Sequence, residues 1–215
     1  LGRKSLAKER REQIIRALNR CIAKYGLQNT SIKKIALEAG VQPGILHHYF
    51  KDRDEIIEEM VKTIVDEVLA KYLQEIRRYR DPDKRFEKAI SFLFGPEMIN
   101  DEYASFFYDC WAEAKRNPRI RESFNMLYDR FRKAIIDLLV ESGKSSGFSP
   151  KETRELAAMI MAIQDGVSLQ WDMDSERFPL TQLSRLTREM VELYVQKRNS
   201  TQKANRKISA KPARL

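Results

Sequence analysis

Two cysteines and two histidines are the whole supply of thiol and imidazole in this 215-residue chain, and neither pair is spaced for chemistry. Cys21 and Cys110 are far apart, each inside an amphipathic helical pattern, so they read as buried reduced thiols and not as a disulfide or a metal pair. His47 and His48 are adjacent, and neighbours on a helix diverge by about 100°, which denies them a shared ligand face. Asp165, Asp172 and Asp174 lie near a helix end without a partnering motif and read as solvated acids. A phosphate-binding glycine loop, Gly-x-Ser-x-Gly, Cys-x-x-Cys and His-Glu-x-x-His are all missing. No enzyme activity, cofactor or metal is therefore expected. There is no run of 18 apolar residues, and Leu1-Gly2-Arg3-Lys4 leads into charged sequence instead of a signal-peptide core. The expectation is a cytoplasmic protein with no membrane partner. Alternating β-branched runs are also absent, which leaves an all-α chain.

What is present is charge, unevenly placed. Residues 1–53 carry 12 basic and 4 acidic side chains (+8), residues 54–196 carry 21 and 27 (−6), and residues 197–215 carry 7 and none (+7). A basic amino-terminal part joined to an acidic body suits a protein that docks one end on phosphates. A membrane-surface or nonspecific polyanion binder would carry positive charge on the body too. The 42% hydrophobic and 33% charged composition suits a globular protein with one substantial core, or with a small domain fused to a larger one.

The basic part contains a motif. Ile14, Leu18, Cys21, Ile22 and Tyr25 recur at helical spacing, predicting a helix from about Ser5 to Tyr25 that ends at Gly26. Ser31 can cap the next helix, in which Ile32, Ile35, Ala36 and Ala39 share one face. Gly40 follows where a helix end commonly needs positive φ, and Val41 can pack back under the corner. Gln42 then precedes Pro43 at a first helical position, where the missing N–H costs nothing, and Gly44 lets the backbone approach a surface closely. On that helix Leu46 and Phe50 should face the core while Gln42, Pro43, Gly44, Ile45, His47, His48 and Tyr49 face outward. Asp52 with Glu55 predicts a capping box for the helix after it. Arg3, Lys4, Lys8, Arg10 and Arg11, at the start of the first helix, can neutralise phosphates beside it or remain solvated. Two short helices about a glycine corner, the second presenting polar and aromatic groups, constitute a helix-turn-helix.

The serine opening, Ile35-Ala36, Ala39-Gly40-Val41, Gly44 and His48-Tyr49-Phe50 followed by a basic Arg53 resemble the DNA-binding domain of the tetracycline-repressor (TetR) family of bacterial regulators. Lysine is usual where Arg53 stands. Gly44-Ile45-Leu46 before His48-Tyr49-Phe50 is most similar to the betaine-regulator (BetI-like) branch. The resemblance implies that Pro43, Gly44, Ile45 and His47 meet base edges or thymine methyls, that Gln42, Tyr49 and Arg53 hold phosphates, and that His48 does either. With Ser31 these form the candidate DNA-binding set. Pro43 offers no N–H, so DNA shape is expected to add to specificity.

Beyond the motif, helices are expected near 54–80, 83–94, 101–116, 119–141, 151–171 and 179–197, nine in all, with breaks at Asp81-Pro82, Gly95-Pro96, Asn117-Pro118, Gly143 to Pro150 and Phe178-Pro179. The expected organisation is a helix-turn-helix domain over 1–53, a helical ligand-binding and dimerisation domain over 54–197, and a disordered basic tail over 198–215. Leu183, Leu186, Met190 and Leu193 form one apolar seam, and Leu156, Ile160, Ile163 and Val167 another; each is either monomer core or an oligomer interface. Gly166, costly inside a helix, suggests close approach by another backbone. In the family the last two helices pair with their counterparts, which implies a homodimer. The family also senses ligands within the bundle, and Tyr103, Phe107, Trp111, Gln164 and Asp165 are the candidate effector-binding residues; aromatics on helices are equally core. The expectation is a ligand-responsive repressor, binding a double-stranded, near-palindromic operator as a dimer, with a small-molecule effector of unknown identity and nucleoid association when bound. The alternatives are a nonspecific architectural DNA binder and an all-helical enzyme.

Overall fold

Proline and short polar caps decide where the helices begin, and apolar spacing decides which face each buries. The computed structural model describes residues 3–209, and side chains outside 3–5, 101–103, 105 and 202–209. Among these residues there are nine α-helices and no strand: α1 (Arg3–Tyr25), α2 (Ile32–Glu38), α3 (Pro43–Tyr49), α4 (Arg53–Ile76), α5 (Pro82–Leu93), α6 (Asp101–Ala114), α7 (Pro118–Glu141), α8 (Pro150–Met173) and α9 (Leu180–Ser209). Single 3₁₀ turns at Leu27–Asn29 and Ser175–Arg177 precede α2 and α9. The all-α expectation holds.

Caps account for the boundaries. Asp81 accepts from the Lys84 N–H at 2.8 Å ahead of Pro82, which needs no donor at a first helical position. Ser149 and Glu152 close a reciprocal capping box ahead of Pro150, at 3.2 and 2.8 Å. Arg198 of α9 bonds the same Glu152 carboxylate. The Ser149 N–H, Arg198 and the Ser149 hydroxyl hold the Glu152 carboxyl down at about 2. That Arg198 contact belongs to a helix that continues to Ser209, through most of the span expected to be a disordered tail; residues 210–215 lie outside the described residues.

The chain groups into two compact units, a different division from the 53/54 boundary read from charge. One comprises Leu1–Leu69 with Asn100–Arg130, the other Ala70–Ile99 with Phe131–Leu215. In the first, Ile14, Leu18, Ile35, Leu46, Phe50, Ile56, Phe106 and Ile120 are sealed from solvent. Cys21 and Cys110 belong to the same core, and burial pushes both thiols up, away from the reactive thiolate. In the second, Phe86, Ile90, Phe94, Leu139, Ala157 and Ile160 are buried, with Val191 and Val195 of α9. Among the described residues no helix is long and apolar enough to cross a membrane.

Candidate nucleic-acid interface

The two short helices of the motif cannot hold themselves, being seven residues each, so their ends are tied to longer ones. Ser31 adopts extended backbone and its hydroxyl accepts from the Lys34 N–H at 3.4 Å, a long cap. At the other end of α2 Gly40 takes φ +65°, and the Val41 N–H reaches back to the Ala36 carbonyl at 2.9 Å, the bond that closes a helix through a left-handed residue. Gln42 then enters extended conformation and Pro43 starts α3. The corner is built as its residues predict.

From α1, Gln13 Nε2 donates to the Ala39 carbonyl at 2.6 Å and Arg20 pairs with Glu38 at 2.6 Å, so both bond the last turn of α2. Arg11 donates to the Tyr49 carbonyl at 2.5 Å, lies 4.1 Å over the Phe50 ring and approaches Glu59 at 3.4 Å. The sequence left Arg11 open to phosphates or to solvent; the structure makes it a clasp on the C-terminus of α3. A guanidinium there satisfies a terminal carbonyl and complements the helix dipole. The clue available beforehand was its place three residues before the buried Ile14, on the side of α1 turned towards the motif. Arg3 and Lys4 have side chains outside the described residues, while Lys8 is exposed.

On α3, Leu46 and Phe50 are buried, and Gln42, Pro43, Gly44, Ile45, His47 and His48 are exposed together; Tyr49 is half-buried, and Ser31 is exposed. Eight of the nine candidate DNA-binding residues are thus available to a partner. Gly44 is the informative one. A Cβ there would meet no protein atom within 4 Å, so nothing inside the protein demands glycine.

Arg53 is placed differently. Its guanidinium donates to the Leu27 and Thr30 carbonyls at 3.2 and 3.4 Å and to Glu113 of α6 at 3.2 Å. Its donors face protein, where the family resemblance implied phosphate. The fork of a guanidinium can reach three acceptors at once, which the lysine usual at this position cannot match in the same geometry. Neighbouring bonds bind the start of α4 to the α6–α7 corner. Asn117 donates to Asp54 at 2.7 Å, and Arg119 reaches Asp52 at 2.8 Å and Glu58 at 2.9 Å. The Leu27 N–H donates to Asp109 at 2.7 Å. Asp52 caps α4 through the Glu55 N–H at 2.9 Å, but Glu55 returns to the Lys51 N–H at 2.7 Å, so the expected box is shifted by one residue. Burial tends to raise the Asp52 carboxyl, and the Glu55 N–H with Arg119 outweighs it, leaving the group below its ordinary value.

The candidate effector residues are divided between the two units. Phe107 and Trp111 belong to the first unit, Gln164 and Asp165 to the second, and the Tyr103 side chain lies outside the described residues. Phe107 packs edge-on against Phe106 and Phe124, and Trp111 is 52% exposed with the Lys115 ammonium 4.5 Å over its ring. Gln164 is only 5% exposed, whereas Asp165, one residue and about 100° further round α8, is exposed.

An exposed α3 held at both ends defines a helix-turn-helix DNA-binding protein. The family comparison goes further. Residues 14–60 match the model of bacterial regulatory proteins of the tetR family, and residues 82–196 match that of the BetI-type transcriptional repressor C-terminal domain. The chain belongs to the TetR family of transcription regulators, in its BetI-like branch. It is similar to the nicotine-responsive transcriptional repressor HdnoR of Paenarthrobacter nicotinovorans, 28% identical over 77% of this chain and 85% of that one. It is also similar to the transcriptional regulator BetI of Proteus mirabilis, 25% identical over 86% and 90%. A solved structure from Pseudomonas aeruginosa superposes with a TM-score of 0.79 at 19% identity, covering 87% of this chain and 91% of that one, which shows the shared fold.

Proposed function

We propose that the protein is a cytoplasmic, homodimeric repressor whose two α3 helices enter successive major grooves of a near-palindromic operator, and which releases DNA when a small organic effector binds its helical body. The observation that carries the reading is the outer face at α3, where Gln42, Pro43, Ile45, His47 and His48 stand exposed around a glycine that the protein itself does not need. Close backbone approach to a groove supplies the need.

Dimerisation is supported by two stripes that one chain leaves open. On α8, Met159, Ala162, Gly166, Leu169 and Met173 repeat at steps of three and four and face outward, Met173 at 73% exposure, with empty space beside Gly166. On α9, Leu186, Met190 and Leu193 do the same, Leu193 at 64%. The α8 seam singled out from sequence is another face: Leu156, Ile160 and Val167 are buried in their own chain. Gly166, singled out for close backbone approach, sits in the outer stripe. Half-sites about one helical turn apart, ~34 Å, must match the separation of the two α3 helices, so an effector that favours another separation lowers affinity without touching DNA. The Gln164 side chain, 5% exposed, bonds no side chain or carbonyl of the described residues, which suits a group reserved for an effector.

Footprinting on the DNA upstream of the protein's own gene, repeated with a metabolite panel, tests this. The expected result is a protected near-palindrome preferred over unrelated duplex by about 10³ or more, released by at least one metabolite. Equal binding to unrelated duplexes would instead establish an architectural DNA binder.

A further inference from the structure

The second unit contains a cleft of about 640 Å³ between the end of α4, α5, the Gly95-Pro96-Glu97 corner and the first two turns of α9. That volume is in the range of small-molecule sites. Three of its six charged side chains are already engaged. Glu87 pairs with Arg188 at 3.2 Å, and Glu75 accepts from Arg78 at 2.8 Å and the Tyr79 hydroxyl at 3.3 Å. Lys88, with its ammonium 5.9 Å from the Tyr79 ring centroid, lines the cleft as well, as do Ser91 and Thr181, and three further polar groups are placed to meet a ligand. Glu97 pairs with none of the described residues, and Arg185 has only an exposed Glu189 one turn along its own helix, at 3.8 Å. The hydroxyl of Ser184, a residue 7% exposed and lining the cleft, makes no hydrogen bond to any described residue. A buried serine in a helix ordinarily bonds the preceding turn, as Thr187 does to Leu183 at 2.8 Å.

A Cβ at 95 would stand 2.6 Å from Glu97 Oε2 and 3.1 Å from the Ser91 carbonyl, so a side chain there would displace the exposed acid from its position over the corner. Phe92 and Leu180 line the same cleft and give it apolar surface. We infer that this cleft is a recognition site for a small zwitterion with an apolar body, a free amino acid or short peptide. Its ammonium meets Glu97, its carboxylate meets Ser184 Oγ and Arg185, and its side chain covers Phe92. Thr181, Ser184 and Arg188 face one side of α9 while Leu186, Met190 and Leu193 face the opposite side, at about 100° per residue. Pairing of two chains through the apolar stripe therefore leaves the cleft open.

Calorimetric titration of the full chain, without DNA, with L-phenylalanine and with alanyl-phenylalanine tests the site at two charge separations. One of the two is expected to saturate at one per chain. Phenethylamine and N-acetyl-phenylalanine, each lacking one charge, should bind at least about tenfold more weakly. Glu97→Gln should erase the advantage over N-acetyl-phenylalanine, Arg185→Gln that over phenethylamine, and Gly95→Ala should weaken the zwitterion. Both Gln variants alter exposed side chains, so folding is retained. No saturable heat up to about 10 mM, equal binding of the singly charged compounds, or unchanged affinity in both Gln variants overturns the proposal. Operator footprinting is read independently, so loss of this site leaves the DNA-binding reading intact.

Discussion

Gly44 and Arg53 separate what a residue does for the fold from what it does for a partner. Alanine at 44 meets open space and improves helix propensity by up to about 1 kcal/mol, so Gly44→Ala should melt at or slightly above the wild-type temperature. If α3 docks as proposed, the variant's operator affinity should nevertheless fall at least about tenfold, because the added methyl would stand where the backbone approaches the groove. Thermal unfolding beside a mobility-shift titration checks both halves; loss of stability with retained binding would contradict the assignment. Arg53→Ala should behave in the opposite way. Three acceptors lose their donor, which costs about 1–3 kcal/mol, while the dependence of binding on salt stays unchanged because no phosphate contact has been removed. The residue pattern disclosed Leu46 and Phe50 as core because burial periodicity decides them. It did not disclose Arg53 or Arg11, whose partners at Glu113 and Tyr49 are far away along the chain and are chosen by packing.

At the level of elements, boundaries were legible wherever a cap or proline stands, as at Asp81-Pro82 and Ser149-Pro150. Periodicity on α8 was legible, but its phase was not. The helix carries two apolar stripes of the same repeat, and sequence cannot say which one its own chain covers. The structure assigns Leu156, Ile160 and Val167 to the core and Met159, Leu169 and Met173 to the outside. Substitutions on the two stripes should therefore part company. Met173→Glu combined with Leu193→Glu is expected to yield a folded monomer by light scattering, with operator affinity lost along with the second α3. Ile160→Ala should instead cost about 2–5 kcal/mol in denaturant unfolding and leave the oligomeric mass of the folded fraction unchanged. The α8–α9 connection adds a pH signature. Glu152 is held at about 2 by the Ser149 N–H, Arg198 and the Ser149 hydroxyl, far below an ordinary glutamate near 4.3. A depressed carboxyl stabilises the fold above its unfolded value and loses that contribution as pH falls towards 2. Glu152→Gln should flatten the stability profile between about pH 4.5 and 2, relative to wild type, in acid-unfolding curves.

Along the whole chain charge is unevenly placed, +8 over residues 1–53 and +7 over residues 197–215 against −6 over residues 54–196. Each phosphate neutralised releases counterions and contributes about −0.9 to the slope of log affinity against log salt, so the slope counts head contacts and is blind to body charges that stay in solution. Lys8, exposed on α1 and only 3.9 Å from an exposed Glu12, and Lys151, exposed on α8 beside Glu155 at 3.8 Å, are matched in charge, exposure and pairing. Such exposed pairs contribute little to stability, and both Lys→Gln variants should fold as wild type. If the head alone meets the duplex, Lys8→Gln makes the salt slope shallower by up to about 1 for each head that contacts DNA, whereas Lys151→Gln leaves it where it was. The same shift in both variants would mean that the duplex also contacts the body, and the charge division would then have no bearing on how the protein holds DNA.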